Sequence, residues 1–413
     1  MNTITPTLKL YERDAFQASC DTTLCAVLAD GKAPPRIALA ESVFFAEGGG
    51  QPADRGTVCF TTPQGELFAK VLDVHETDGI LWHTLDALPA AVQEGIGCPV
   101  YCTLDWAHRL DSMQQHSGEH ILSGILHLLY GAENVGFHIG SELVRMDTNC
   151  PLTAAQLQIA EEMANDIIWQ DVPIETLLPD ASALAAMTYR SKKEIAGTVR
   201  IVRIAAADTC ACCGTHLRST GQVGQIKILS AEHYKGGERL SVVCGKRALT
   251  AAQGMRAREA EIGALLSAKP ALTASAVQRV YAELNALKFA KQGVEHQLFE
   301  ALAAQVDPSN PAPTIVTVAG LNPDGLHRLA SRLCEATQSL CVALCEQAPD
   351  SDGAISCGYC LAQSGDADLR GLCKALNTTC HGRGGGKANI CQGSAAASAA
   401  ELADFVREYN DMA

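Results

Sequence analysis

Two histidines and a later cysteine–histidine pair are the residues of this sequence best suited to bind a metal ion. His116 and His120 lie four residues apart in a stretch with helical periodicity, so both imidazoles project from one face and can reach one ion. Cys212 and His216 repeat the four-residue spacing. Either pair alone also fits ordinary buried side chains. Together they offer imidazole and thiolate donors, which zinc accepts and magnesium or calcium does not favour.

Other cysteines near these motifs leave alternatives open. Cys210 and Cys213 form a Cys-x2-Cys pair that competes with Cys212 for the metal, although the four-residue step to the histidine selects Cys212. Cys357 and Cys360 form a second such pair inside a predicted strand, with no partner pair of similar spacing. We therefore expect Cys357 and Cys360 to be packing residues.

The length, composition and charge of the chain limit the kinds of protein it can form. Its 413 residues are enough for two to four domains, and 47% of them are apolar. A net charge of −14 excludes nucleic-acid binding through bulk positive charge, so such a partner would need a local basic face. No apolar run is long enough for a membrane span, and the N-terminal stretch does not resemble a signal peptide. We expect a cytoplasmic protein with reduced thiols.

Periodicity predicts an α+β multidomain protein. Short alternating runs broken by turn residues predict a small β-barrel over 1–95, and mixed helical and strand patterns predict an α+β domain with the metal motifs over 96–247. Two Ala-, Leu- and Glu-rich helices predict a hairpin or coiled linker over 248–306, which could dimerise the chain or bridge domains. Alternating strands and helices over 312–413 predict a C-terminal α/β domain containing a glycine-rich loop.

The flanks of the metal motifs resemble a known family. QQHSGEHILS, CCGTHLRSTGQVGQIKI, FFAEGGGQPADRG and VGFHIG resemble the editing domain of alanyl-tRNA synthetase and the free-standing alanyl-tRNA editing proteins. HGRGGGKANICQGS resembles the C-terminal domain that these synthetases share with DHH-type phosphoesterases, but no Asp-His-His triplet occurs. The chain is too short for an aminoacylation module, so it is similar to the long free-standing form. It departs from the family's Cys-Gly-Gly-Thr-His motif at Cys213.

The resemblance implies a zinc-dependent hydrolase for tRNA(Ala) mischarged with serine, and possibly with glycine. An alanine pocket cannot exclude the smaller glycine and rejects serine poorly, so hydrolysis of the wrong product is needed. The resemblance implies one zinc per chain, a substrate loop, and a glycine-rich segment that contacts tRNA. The expected residues are His116, His120, Cys212 and His216 for the metal; Glu47, Gly48, Gly49 and Gln51 for the loop; and Arg383, Gly384, Gly385, Gly386 and Lys387 for tRNA.

Several alternatives remain at the level of sequence. Zinc could act as a Lewis acid, as a source of hydroxide or as a template for the ester. The basic stretches 190–203 and 370–391 are candidate RNA contacts or merely solvated faces. A zinc-stabilised tRNA-binding protein without turnover, and a deacylase of threonyl type, are the competing functions.

Overall fold

The computed structural model describes residues 5–29, 31, 33–92, 95–191, 199–348, 355–366 and 368–412. The chain divides into two compact units, unit 1 over Met1–Glu261 and unit 2 over Ile262–Ala413. The boundary falls inside the predicted linker 248–306. No helix in the described part of the chain is long and apolar enough to cross a membrane.

Unit 1 begins with a closed six-stranded barrel, which confirms the predicted small β-barrel. Its strands follow the order β2-β3-β7-β6-β5-β8 around the barrel. Alternate residues face the core, as in β7, where Leu81, His83 and Leu85 are buried. The strands up to this point are β1 (Leu8–Lys9), β2 (Ser19–Leu28), β3 (Arg36–Leu39), β4 (Glu41–Ser42), β5 (Gly56–Thr62), β6 (Gly65–Thr77), β7 (Ile80–Leu85) and β8 (Pro99–Leu104).

The barrel extends past the predicted boundary at residue 95. Strand β8 pairs with both β2 and β5, so the barrel cannot close without it. The strand precedes the next helix by one residue, Asp105, and therefore reads in the sequence as the start of the following domain.

The rest of unit 1 is built around one long buried helix, α1. Asp105 caps its first turn by accepting from His108 N, and Gly131 ends it at φ 65°. Helix α1 packs against α2, β9, β10, β13 and β15. The remaining elements are α1 (Trp106–Tyr130), β9 (Asn134–Ile139), β10 (Val144–Thr148), α2 (Ala154–Trp169), β11 (Ile174–Leu177), α3 (Ala181–Ala185), β12 (Ile201–Ile204), β13 (Asp208–Ala211), β14 (Ile226–Tyr234), β15 (Gly237–Cys244) and α4 (Gly245–Leu265), whose last turn belongs to unit 2.

Two small antiparallel sheets complete this region. One has the strand order β14-β15-β10-β9 and the other β11-β12-β13. Helix α1 carries His116 and His120, and the segment directly after β13 carries Cys212 and His216. Packing of α1 against β13 therefore brings the two motifs to the same place.

Unit 2 has three layers around a five-stranded sheet of order β16-β17-β18-β20-β19. One face of the sheet packs with α5 and α6, and the other with α7 and α8. Its elements are α5 (Thr273–Ala303), β16 (Thr314–Thr317), α6 (Pro323–Cys334), β17 (Cys341–Glu346), β18 (Cys357–Ala362), α7 (Arg370–Thr379), β19 (Arg383–Lys387), β20 (Ile390–Ala395) and α8 (Ala399–Met412).

Two details of this sheet bear on the sequence predictions. Cys357 and Cys360 are both buried but belong to clusters on opposite faces of β18, so they cannot ligate one ion. The prediction of a glycine-rich loop was wrong, because Arg383–Lys387 is the edge strand β19, paired with β20. Glycine is generally unfavourable in strands. Here close packing requires glycine at position 384, because a Cβ there would collide with the Tyr359 hydroxyl.

Candidate functional site

The four predicted metal ligands meet in one cluster in unit 1. One donor atom from each of His116, His120, Cys212 and His216 lies within 4.8 Å of the others. Cys212 Sγ is 3.4 Å from His116 Nε2 and 3.3 Å from His216 Nε2. Centroids of the three imidazole rings are 4.5 to 5.3 Å apart. This group of three imidazoles and one thiol could hold a metal ion.

Each histidine of the cluster is held from behind by a second polar group. His116 Nδ1 lies 2.8 Å from Gln51 Oε1, and His120 Nδ1 lies 2.8 Å from Asp208 Oδ2. His216 Nδ1 is 3.4 Å from Ser117 Oγ. A partner at the remote ring nitrogen fixes the tautomer and orientation of a metal-binding imidazole. The donor set and these partners therefore fit a metal ion better than a purely structural histidine cluster.

Electrostatics favour an ionised thiol in this cluster. Burial opposes ionisation of Cys212, but neighbouring His116 and hydrogen bonds from His116 and His120 outweigh it, and the pKa of this thiol falls well below its usual value. Burial lowers the pKa of His216 to about 3 and keeps its ring neutral. A thiolate and a neutral imidazole are the states in which Cys212 and His216 bind a metal, whereas hydrogen bonds to Asp208 and Cys212 overcome desolvation and raise the pKa of His120 well above its usual value.

The two competing cysteines lie in different surroundings. Cys210 is buried, its pKa is raised to about 11 by desolvation, and it sits beside Asp208 and His120 rather than among the four donors. Cys213 is exposed as a residue, but its sulfur is partly desolvated, and this desolvation raises the pKa of the thiol. The backbone of Gly214, directly after Cys213, passes so close to the His116 ring that a Cβ there would overlap it. This geometry favours Cys212 as the ligand.

The glycine-rich loop lies against the cluster, but Gln51 has a different role from the one expected. Gly48 and Gln51 exchange backbone hydrogen bonds in a tight turn, with Glu47 and Gly49 exposed at its tip. The Gln51 side chain is fully buried, donates to Thr215 Oγ1 at 2.8 Å, and accepts from Thr215 N at 3.1 Å. Gln51 therefore orients His116 and the loop that carries His216 instead of facing a substrate.

Sequence reasoning missed Asp208, Ser117 and Thr215. Asp208 joins His120 to Arg190, whose Nε donates to Asp208 Oδ1 at 2.9 Å. Ser117 directly follows His116, and Thr215 directly precedes His216, so proximity to the ligands was the available signal. However, the packing of helices and strands determines which polar neighbour contacts a metal ligand. The spacing of residues in the sequence does not show this packing.

A buried ion pair fixes the start of α1 to the loop region. Arg109 is fully buried, and its guanidinium donates to both carboxylate oxygens of Asp54. Its remaining donors reach the carbonyls of Ala15 and Val43. All three guanidinium nitrogens of Arg109 are hydrogen-bonded. Such a buried pair holds one arrangement, because removal of either partner leaves an uncompensated charge.

The three described arginines of the basic stretch 190–203 are all bonded within the protein. Arg190 is paired with Asp208, and Arg200 donates to the carbonyls of Cys212 and Gly214 at 3.0 and 2.7 Å. Arg203 pairs with Glu175. Lys192 and Lys193 lie outside the described residues. The three described arginines support the fold, two of them next to the metal motifs.

The predicted tRNA segment lies in unit 2, along the exposed edge strand β19. Arg383, Gly384, Gly385, Gly386 and Lys387 are all exposed. A cleft of about 450 Å³ opens beside the strand, and its lining includes Arg370, Lys374 and the three glycines. Arg370 is bonded to Asp368, whereas Lys374, Arg383 and Lys387 make no ion pair with any described residue. These three cations are available to an anionic ligand.

Two known domain families match the two regions that contain the metal cluster and β19. Residues 199–241 match the threonyl and alanyl tRNA synthetase second additional domain, and residues 312–413 match the DHHA1 domain. The first match contains Cys212 and His216, and the second contains all of β19.

Relatives along the chain confirm the resemblance to alanyl-tRNA editing proteins. The chain is similar to alanyl-tRNA editing protein AlaX-L of Pyrococcus horikoshii, with 32% identity over 59% of each chain. It is similar to alanyl-tRNA editing protein Aarsd1-B of Xenopus laevis, with 31% identity over 61% of this chain and 59% of the relative. An alanine–tRNA ligase of Natronomonas pharaonis is 28% identical over 80% of this chain and 36% of the ligase. The chain thus spans less than two thirds of each of these relatives.

Proposed function

Because the chain is related to the free-standing alanyl-tRNA editing proteins, we propose that it is a trans-editing hydrolase that deacylates Ser-tRNA(Ala), and also Gly-tRNA(Ala), in the cytoplasm. The observation that carries this proposal is the cluster of three buried histidines, His116, His120 and His216, around the half-buried Cys212, with a hydrogen-bond partner for each imidazole. Such ordered imidazoles are typical of a metal centre that must keep its geometry through a reaction.

We propose that the cluster binds one zinc ion per chain. Three imidazoles and a thiolate of lowered pKa are the donors that tetrahedral zinc prefers. When bound, zinc would supply Lewis acidity and a fixed point for the terminal ester of the aminoacyl-tRNA. The protein itself supplies orientation, since Gln51, Asp208 and Ser117 hold the imidazole rings toward Cys212.

The exposed tip of the glycine-rich turn is the part of the loop that we assign to substrate. Glu47 and Gly49 are exposed, Gly48 is half-buried, and a Cβ built at Gly49 meets no atom within 4 Å. Backbone without a side chain permits close approach of a ligand. The buried Gln51 amide at the base of the same turn connects this tip to His116.

For tRNA, we propose that Lys374, Arg383 and Lys387 contact phosphates. They line or flank the cleft beside β19, and their charges are not used by described acidic residues. A local basic edge of this kind is what a chain of net charge −14 requires in order to meet RNA.

Deacylation of Ser-, Gly- and Ala-tRNA(Ala) side by side tests the proposal. We expect hydrolysis of Ser-tRNA(Ala) to be at least about tenfold faster than that of Ala-tRNA(Ala), a gap of about 1.4 kcal/mol. Seryl-tRNA(Thr), assayed in parallel, tests the threonyl-type alternative and should react more slowly. Tight tRNA binding with no turnover on any substrate would instead support a zinc-stabilised binding protein.

A further inference from the structure

Arg190 lies outside the metal cluster but is connected to one of its ligands by two hydrogen-bonded routes. Its Nε donates to Asp208 Oδ1 at 2.9 Å, and the other oxygen of that carboxylate lies 2.8 Å from His120 Nδ1. Its Nη2 donates to Ser123 Oγ at 2.9 Å, and Ser123 Oγ donates to the His120 carbonyl at 3.4 Å. One guanidinium therefore contacts both the carboxylate behind the His120 ring and the hydroxyl bonded to the His120 backbone.

The backbone of Arg190 is fixed beside the strand that leads to the second pair of ligands. Its N–H donates to the Thr209 carbonyl at 2.8 Å, and its carbonyl accepts from Ala211 N at 2.9 Å. These bonds form a parallel bridge to Cys210 in β13, two residues before Cys212. Arg190 is thus anchored beside the strand that carries one ligand pair, while its side chain reaches the helix that carries the other.

The Asp208 carboxylate needs a cation at the oxygen that does not face His120. The Asp208 side chain is 1% exposed, and its two oxygens contact His120 and Arg190. Removal of one partner of a buried ion pair leaves an uncompensated charge, which is strongly destabilising. Without Arg190, nothing described would fix the second oxygen of this carboxylate. The His120 ring would then lose the fixed partner that sets the orientation of a metal-binding imidazole.

We propose that Arg190 is a positioning residue of the metal centre, which holds Asp208 and Ser123 so that the His120 ring faces the ion. A guanidinium suits this role because its planar fork donates to a carboxylate and to a hydroxyl at the same time, whereas a lysine ammonium is a point charge on a flexible stem. The effect on deacylation rests on the proposed function, but the effect on metal binding does not.

The network continues outward from Arg190 through weaker contacts. Arg190 Nη1 lies 3.9 Å from Glu133 Oε2, and Glu133 Oε1 lies 2.8 Å from His127 Nδ1. The side chains of Glu133 and His127 are 43% and 44% exposed, whereas that of Arg190 is 15% exposed. Exposed ion pairs contribute little, because water screens them. We therefore expect the effect of a substitution on the metal centre to fall steeply from Arg190 to Glu133.

A cleft beside Arg190 allows the missing group to be replaced by a small molecule. The cleft has a volume of about 440 Å³, and its lining includes Arg190, Asp208, Glu133 and His127. Arg190→Ala would enlarge this cleft and leave the Asp208 carboxylate accessible to a soluble cation. N-ethylguanidinium supplies the planar donor group that the substitution removes.

Cobalt substitution measures the metal centre separately from activity, because the visible absorption of bound Co²⁺ depends on its coordination geometry. We expect Arg190→Ala to bind Zn²⁺ and Co²⁺ about 10- to 100-fold more weakly than the wild type and to shift the Co²⁺ bands. N-ethylguanidinium should restore the affinity and the bands. Glu133→Gln should change the affinity less than about twofold.

Arg203→Ala is the matched control. It removes an exposed arginine of the same stretch, which pairs with Glu175, and should change neither the affinity nor the bands, with or without N-ethylguanidinium. Wild-type affinity and bands in folded Arg190→Ala would overturn the proposal. A loss of affinity that N-ethylguanidinium does not restore would also overturn it, because it would show a merely structural role.

Two further measurements keep the result interpretable. If circular dichroism shows that Arg190→Ala is unfolded, Arg190→Lys replaces it, because this variant keeps the charge but loses the fork; wild-type affinity and bands in Arg190→Lys would overturn the proposal. At saturating zinc, Arg190→Ala should lower kcat for Ser-tRNA(Ala) and leave KM unchanged. A wild type without turnover would refute the proposed function, while the metal measurements would still decide the role of Arg190.

Discussion

Polar groups are used in opposite ways in the two units. In unit 1 the three histidines of the metal cluster, Gln51 and the Arg109–Asp54 pair are buried, and each has a hydrogen-bond partner. In unit 2 the cations of β19 are exposed and make no ion pair with described residues. Buried and paired groups hold one geometry, whereas exposed cations retain their capacity to bind another molecule. This difference agrees with the proposal that unit 1 carries the chemistry and that β19 contacts tRNA.

Loss of a metal ligand should have the largest effect. We expect Cys212→Ser to lose bound zinc and to lower deacylation at least about 1000-fold, which corresponds to about 4 kcal/mol. Metal analysis by inductively coupled plasma mass spectrometry, together with the deacylation assay, measures both. Cys213→Ser is the matched control and should keep both properties. Metal loss in Cys213→Ser but not in Cys212→Ser would move the ligand to the neighbouring residue.

Acid should destabilise unit 1 through a buried histidine of the barrel. Burial lowers the pKa of His83 to about 4 from an ordinary value of 6.5, while its ring contacts Ser42 Oγ at 2.8 Å. Because the unfolded chain binds this proton first, stability is complete above pH 6.5 and falls as the pH drops toward 4. The loss is at most about 3 kcal/mol.

Urea unfolding at several pH values measures this effect. His83→Gln should flatten the dependence between pH 6.5 and 4, whereas His75→Gln, at an exposed position in the adjacent strand β6, should not. An unchanged slope in His83→Gln would show that other groups cause the acid sensitivity.

Removal of the Gln51 amide should weaken the metal site without abolishing it. We expect Gln51→Ala to lower zinc affinity about 10- to 100-fold, because the His116 ring loses the group that orients it. Competition with a chelator measures the affinity. Glu47→Ala, at the exposed tip of the same turn, should leave affinity unchanged and raise KM. Equal zinc affinity in wild type and Gln51→Ala would contradict the positioning role.

The exposed cations of unit 2 should give the smallest effect, confined to binding. Arg383→Ala with Lys387→Ala should weaken tRNA binding about tenfold and lower the slope of log affinity against log salt by at most about 2, with kcat unchanged. Arg407→Ala removes an exposed arginine of α8 and should alter neither property. A fall in kcat at saturating tRNA would link β19 to the chemistry and remove the contrast between the units.

The local elements of the fold could be predicted because their patterns are local. Apolar alternation marked the barrel strands, and periodicity from Trp106 marked α1. The barrel boundary and β19 were missed for different reasons. Pro99–Leu104 joins the barrel only through pairing with strands that are distant in sequence. Arg383–Lys387 pairs with the neighbouring β20, but its glycines are unusual in a strand and are needed here because Gly384 packs against the Tyr359 hydroxyl.

The candidate metal ligands could be identified from the sequence, because side-chain chemistry and four-residue spacing do not depend on the rest of the chain. Their convergence could not, since residues 116 and 216 are brought together by packing of α1 against β13. The role of Gln51 also depends on the tertiary structure, because its buried amide contacts His116, which is 65 residues away in the sequence. Residue type thus shows which side chains can bind a metal, and packing of the fold determines how they are oriented.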